Sequence, residues 1–325
     1  MSVLITGGAG YIGSHAAHAL VARGEDVVVV DNLSTGRREL VPASAEFVHG
    51  EISDAGQLRT IIQRHGVREV MHFAASIIAP ESVVAPLKYY ENNVSASRSF
   101  IEACVQSDVK SFIYSSTAAV YGEPACNPVA ETVPTCPINP YGRSKLVVEW
   151  MLEDAATAYG IHHVVLRYFN VAGVDSRGRG GQASRNVDHL IKRAAQVALG
   201  RRGHLDIYGT DYPTRDGTAV RDYIHIYDLV EAHILALDHL RGGGTSMVYN
   251  CGYGHGATVL EVVAAFERVT GKTLAVRHAP RRSGDPAEVV ADSTRLRTAH
   301  KWTPRYDSLD VIVHSALEWE SRQGG

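Results

Sequence analysis

The sequence predicts an α/β fold, a doubly wound parallel sheet followed by a smaller α+β region. Three observations predict it. Short β-branched runs alternate with helical stretches through the first half. One run, residues 27–30, is an uninterrupted row of valines, which suits a parallel strand covered on both faces. A glycine-rich turn separates the first run from the first helical stretch.

The elements follow in order. Residues 3–6 read as the first strand, 13–23 as the first helix and 27–30 as the second strand. Residues 70–74, 112–115 and 164–166 read as further buried strands, with helical periodicity across 55–65 and 95–105. The pattern changes after about residue 174. The Gly/Arg/Ser-rich stretch 176–185 reads as a mobile loop. A helix, an irregular Tyr/Asp/Gly/Pro segment, a helix through 229–240 and a turn at 241–244 come next. A strand at 247–250, a helix at 259–269 and a last helix from about Ser308, N-capped by Asp307, complete the chain. Residues 1–173 are expected to bind a dinucleotide and 174–325 a substrate, with about 221–250 returning to the first unit.

Bulk properties narrow the function. The 325 residues are 45% hydrophobic and 21% charged, with a net charge of −3 spread over interspersed acids and bases. No basic stripe suggests a nucleic-acid partner, and no apolar run approaches the ~20 residues of a membrane span. The first strand begins at once, so no signal peptide is expected. Cys104, Cys126, Cys136 and Cys251 have no pairing or zinc spacing, which suits reduced thiols in the cytoplasm. The sixteen histidines form no ligand cluster, and no metal is expected.

Gly7, Gly10 and Gly13 form G-x-x-G-x-x-G between the first strand and first helix. Glycines allow the tight turn and let backbone amides approach a pyrophosphate, whose charge the helix N-terminus favours. Asp31 ends the second strand, where a carboxylate accepts from the adenosine ribose hydroxyls and repels a 2′-phosphate. NAD is therefore expected over NADP, with Arg37 and Arg38 as the residues that work against that exclusion.

Tyr141 and Lys145 form a Tyr-x-x-x-Lys pair after Asn139-Pro140, a suitable helix start. At this spacing the two share one helix face. A tyrosine with a pKa near ~10 is a poor base at neutral pH. An ammonium ~6 Å away at an effective dielectric of ~20 contributes roughly 2.8 kcal/mol, about two pK units. Ser115-Ser116-Thr117 ends the preceding strand, and a hydroxyl there reaches both the tyrosine and a substrate alcohol.

Together these features resemble the extended short-chain dehydrogenase/reductase family, which has a Rossmann domain and a smaller C-terminal domain for a nucleotide sugar. By that resemblance Tyr141 is the base, Lys145 its activator and Thr117 the hydroxyl relay. Members that eliminate water carry an Asp-Glu pair after the strand-end threonine; here Ala118-Ala119 follows Thr117, so elimination lacks its catalysts.

Segments 7–15, 31–33, 89–94, 115–122, 168–173, 208–225 and 281–285 are similar to the UDP-glucose 4-epimerase branch of that family. The similarity spans essentially the whole chain. It implies NAD and UDP-sugar sites, inversion at C4 through a transient 4-keto sugar, and a homodimer paired through helices near 89–105 and 141–159. For the coenzyme it implies Gly7, Gly10, Tyr11, Ile12, Gly13, Asp31, Asn32, Glu51, Ile52, Phe73, Ala74, Ala75, Asn92, Ser115, Tyr141, Lys145 and Tyr168. For the substrate it implies Thr117, Asn170, His189, Leu190, Tyr208 near the uracil, Arg221 and Arg282 on the diphosphate, Asp285 on the uridine ribose, and Val289.

Four positions depart from the family's usual pattern: Ile77, Glu51, His189 and Val289. Val289 replaces a bulky tyrosine found in some members beside the sugar's C2. It is expected to leave room for an N-acetyl group, and a UDP-pentose is a further alternative.

Overall fold

The structure, a computed structural model, describes residues 2–175, 177–183, 189–282 and 284–323. Seven parallel strands form the central sheet: β1 (Ser2–Thr6), β2 (Asp26–Asp31), β3 (Glu46–His49), β4 (Glu69–His72), β5 (Ser111–Ser115), β6 (His162–Tyr168) and, from the second half, β11 (Met247–Cys251). Their spatial order is β11-β6-β5-β4-β1-β2-β3. The chain winds from β1 out to β3, then restarts on the other side of β1 with β4. Thr6 pairs with Val30 on one side and His72 on the other. This reversal opens a crevice beyond the carboxyl ends of β1 and β4, where open α/β sheets bind ligands.

Helices cover both faces. They are α1 (Tyr11–Ala22), α2 (Ala55–Arg64), α3 (Ala79–Val84), α4 (Pro86–Tyr89), α5 (Ala96–Gln106), α6 (Pro140–Tyr159), α7 (Leu190–Ala198), α8 (Ile226–Arg241), α9 (Val259–Thr270), α10 (Thr294–His300) and α11 (Leu309–Arg322). Val3, Ile5, Val27 and Val29 point into a core with α1 and α8, while Leu4, Val28 and Val30 point into the other with α2 and α5. The valine run alternates between two buried layers, which is why it carries no polar residue. None of the described helices is long and apolar enough to cross a membrane.

The expected strands and helices of the first half are present, most shifted by one or two residues. β3 is an addition: four residues at the sheet's edge, only half covered, leave no alternating signature. The last helix is capped by Ser308, whose side chain accepts from the Val311 amide. Asp307, expected in that role, instead meets His255 Nε2 at 2.7 Å.

The remaining strands form small sheets over the crevice. β7 (Asn170–Ala172) pairs with β10 (Tyr223–His225), and β8 (Leu205–Tyr208) with β13 (Val276–Ala279). β9 (Val220–Arg221) lies between β12 (Ala257–Thr258) and β14 (Glu288–Val289), with Arg221 level with Val289. Two buried carboxylates fix this layer. Asp222 accepts from the amides of Tyr253 and Gly254 at 2.9 Å and of Ala291 at 3.2 Å. Asp228 accepts from the amides of Arg305 and Tyr306 at 2.9 Å and from the Tyr253 hydroxyl at 2.6 Å. Such fully hydrogen-bonded carboxylates lock distant segments in one register.

Candidate active site

One cavity of about 1820 Å³ runs from the glycine loop to the small sheets. Its dinucleotide end is shaped by backbone. Gly7 has φ +69°, and a Cβ there would lie 2.6 Å from the Ala74 amide nitrogen. A Cβ on Gly13 would lie 2.3 Å from the Gly7 carbonyl oxygen. Only glycine lets the turn close and α1 begin directly above it. The Gly10 position caps α1 without a side-chain hydrogen bond, and no acid stands in its first turn. The helix N-terminus therefore faces the cavity with its amides and positive dipole end. Asp31 is buried and accepts from the Ala9 amide at 2.9 Å and the Leu33 amide at 2.8 Å. Burial raises its pKa and those two donors oppose the rise. This cradle fits the pyrophosphate and adenosine ribose of a dinucleotide.

The two arginines that weakened the case for NAD each have partners within the protein. Arg37 reaches the Ala183 carbonyl and the Gln323 side chain, both at 3.1 Å. Arg38 stacks 4.7 Å from the centre of the Phe47 ring. Glu51 accepts from Asn32 Nδ2 at 3.1 Å.

Tyr141 opens α6 at the centre of the cavity. Asn139 caps the helix, accepting from the Gly142 amide at 2.9 Å, and Pro140 fills its first position. Gly142 carries the close approach: a Cβ there would lie 2.5 Å from the Ala119 carbonyl oxygen. The helix can thus lie against the turn at Ala118–Tyr121, and Thr117 hydrogen-bonds Tyr141. Burial pushes the Tyr141 phenol above its ordinary value, and the bond from Thr117 opposes that rise.

Lys145 follows one turn later on α6. It is buried and turns its Nζ to the Ser115 carbonyl at 2.9 Å, 4.9 Å from the centre of the Tyr114 ring. Burial lowers its pKa to about 7, against an upward pull from Glu149. Behind Lys145, Glu149 accepts from Ser116 and from Arg167, whose Nη2 stands at 2.5 Å. Sequence reasoning missed this buried pair. An acid four residues beyond the lysine on the same helix face was the available signal.

Most other expected positions line the cavity: Tyr11, Ile12, Asn32, Ile52, Phe73, Ala74, Ala75, Asn92 and Tyr168 beside the glycine loop, and Asn170, His189, Arg221, Asp285 and Val289 at the far end. Ile77 lines it too, half exposed. Five do not line it. Ser115 is buried, with its hydroxyl on His233 Nε2 at 2.8 Å; Lys145 lies beneath it. Leu190 starts α7 and packs on the core. Tyr208 and Arg282 stack on each other, 3.7 Å from guanidinium carbon to ring centre. Ser283, within the segment 281–285, and Ser176, Ser184 and Arg185 of the predicted loop lie outside the described residues.

The 89–94 motif forms a π-helical widening over Tyr90–Ser95. Such widenings re-aim side chains at functional sites. Here the unpredicted residue is Asn93, whose Nδ2 donates to the Ser76 carbonyl at 3.0 Å and to Ser144 Oγ at 2.9 Å. Asn92, which lines the cavity, donates to Ser76 Oγ at 3.0 Å.

At the far end Arg221 and Asp285 form an ion pair, and Val289 packs with Ala118 and Phe169. The described residues hold no cluster of the kind that ligates a metal.

A family model described as the NAD dependent epimerase/dehydratase family matches residues 3–252. The UDP-glucose 4-epimerase of Azospirillum brasilense is 54% identical, over 98% of this chain and 91% of that protein. Among solved structures, the UDP-glucose 4-epimerase of Brucella ovis in complex with NAD has a TM-score of 0.94 at 43% identity, covering 98% of this chain and 97% of that one. The UDP-Glc/GlcNAc 4-epimerase of Campylobacter jejuni has a TM-score of 0.85 at 44% identity, covering 99% of each chain.

Proposed function

We propose a function from one premise: the chain belongs to the NAD dependent epimerase/dehydratase family. Within it, the chain interconverts UDP-glucose and UDP-galactose by inverting C4, with NAD as coenzyme. The observation that carries this reading is the convergence of glycine loop, Thr117–Tyr141 and Arg221–Asp285 on one cavity, in a chain similar throughout to UDP-glucose 4-epimerases. Ala118-Ala119, where elimination would need acids, favours epimerisation over dehydration.

NAD, when bound, supplies the reversible two-electron oxidation of C4. Tyr141 is the base that takes the C4 hydroxyl proton and later returns it. Thr117 orients that hydroxyl and holds Tyr141 by the same oxygen. Lys145 activates Tyr141 and helps hold the coenzyme's nicotinamide half, with Glu149 favouring its charged form and the Ser115 carbonyl fixing its place. Arg221 and Asp285 open their mutual pair to take the diphosphate and the uridine ribose, and Arg282 adds a second positive charge. The 4-keto sugar turns about its link to the diphosphate and offers its other face. Firm contacts to UDP and loose ones to the sugar permit that turn.

The test is incubation with UDP-galactose without added NAD, followed by chromatography. UDP-glucose at equilibrium with no net NADH is expected. Inactivity even after NAD is supplied would end this reading.

Val289 favours a second activity. Its side chain, packed with Ala118 and Phe169, is smaller than a tyrosine by an aromatic ring, so the same site takes UDP-N-acetylglucosamine. The working unit is a homodimer paired through α5 and α6, where Trp150 and Tyr159 stand exposed, at 53% and 69%; light scattering in solution tests the dimer. The proposed location is cytoplasmic, in keeping with four unpaired cysteines.

A further inference from the structure

The dinucleotide slot has two walls from opposite ends of the chain. The inner wall is the glycine loop. The outer wall is made by Arg179, Gln182 and Ala183 of the segment 177–183 and by Trp319 and Gln323 at the end of α11. Packing holds part of the outer wall, with Ala183 and Trp319 in a buried cluster beside Leu40 and Val174, and Ile312, Val313 and Ala316 of α11 in the main core; polar bridges between the walls add to that packing.

Arg37 makes a polar bridge that reaches both parts of the outer wall. Its backbone belongs to the inner wall, since its amide donates to the Ala9 carbonyl at 2.9 Å. Gly36 makes that approach possible, because a Cβ there would lie 2.9 Å from Ala9. From this anchor the guanidinium crosses the slot and divides. Nη2 donates to the Ala183 carbonyl and Nη1 to Gln323 Oε1, each at 3.1 Å. A planar fork can hold two acceptors at once, which an ammonium on a flexible stem does less well. Both acceptors are neutral, so the charge of Arg37 remains available to an anionic ligand of the slot it lines.

The outer wall is braced for that grip. Lys192, on α7, donates to the Gln182 carbonyl at 2.7 Å. Gly181 lies flat on the Trp319 indole, where a Cβ would come within 2.4 Å of the ring. Arg37 and Trp319 thus hold residues 181–183 from two sides.

We propose that Arg37 is a coenzyme-retaining clamp: it bolts the 181–183 segment and the end of α11 across the dinucleotide slot, so that bound NAD leaves only when both of its bridges break. The inference rests on the reading that this slot takes NAD, and extends it from binding to retention. It also gives Arg37 a task other than reading a 2′-phosphate.

The experiment uses holoenzyme purified with its NAD. Each protein is diluted and gel-filtered at intervals, and the NAD left in the protein fraction is released by heat and quantified. Arg37→Met is expected to lose NAD at least about tenfold faster than wild type, since it removes both charge-assisted bridges at once. Gln323→Ala, which removes one bridge, is expected to lose it at an intermediate rate. Arg37→Lys keeps the charge without the fork and is expected to lose it faster than wild type. Arg38→Met is the control and is expected to match wild type. Wild-type retention in both Arg37 variants would overturn the clamp. A wild-type protein that carries no NAD and binds none on addition would overturn the coenzyme reading itself, before any variant is compared.

Discussion

The two ends of the cavity are built in different ways. At the dinucleotide end the shape comes from backbone: Gly7 and Gly13 have no room for a Cβ, and Asp31 is held by two amides. At the sugar-nucleotide end it comes from side chains that hold one another, Arg221 on Asp285, Arg282 on Tyr208 and Arg281 on Tyr212. A backbone cradle is preorganised and loses little on binding, whereas a side-chain cluster must exchange partners. The first suits a coenzyme that stays, the second a substrate that comes, turns and leaves.

The largest expected effect falls at the seam. Tyr141→Phe removes the proposed base and should lower kcat by about 10²–10⁴-fold, as loss of a general base does. Bound NAD should be unchanged, because the cradle does not depend on that hydroxyl; turnover near wild type would remove Tyr141 from the mechanism. Next, Arg221→Ala should raise KM for UDP-sugars roughly tenfold or more, the cost of a charged hydrogen bond. If it instead strips NAD from the protein, the two ends are not separable.

Acid sharpens the comparison. Burial lowers the histidine pKa to about 3 for His72 and about 4 for His15, His163 and His233, against an ordinary 6.5. These groups are neutral when folded and take up protons when unfolded. Their contribution is complete above about 6.5 and is lost as the pH falls towards their folded values. Those four lie on the central sheet and its helices, and His225, which burial lowers to about 3, ends β10 in the layer over the crevice. Mild acid should therefore open amides of β4, β6 and β10 together, as hydrogen exchange would show. Protection kept by β10 while β4 and β6 open would show that the layer's acid sensitivity does not rest on His225.

The smallest expected effect is a ratio. Val289→Tyr should lower the rate on UDP-N-acetylglucosamine relative to UDP-glucose severalfold; an unchanged ratio would separate Val289 from sugar choice.

What was legible in the sequence divides along the same line. Gly7, Gly13, Asp31, Tyr141 and Thr117 were readable because local backbone or helix spacing fixes what they do. The far end was readable only through resemblance, since Arg221, Asp285 and Val289 meet through strand pairings between remote segments. Long-range contacts were invisible. Arg37 read as a residue that works against the exclusion of NADP, with no sign of its bridge to Gln323; Lys145 read as the activator of Tyr141, with no sign of its bond to the Ser115 carbonyl. Asn93 lay within the 89–94 motif without a role read for it, and Ser76, its partner, lay in no motif.

The most direct measurement follows the C4 hydrogen. UDP-galactose labelled with deuterium at C4 would be converted in ordinary water without added NAD, and the product examined by mass spectrometry. The account predicts UDP-glucose that retains its deuterium, because the hydrogen leaves and returns within one enclosed site. Washout of the label into solvent would contradict it.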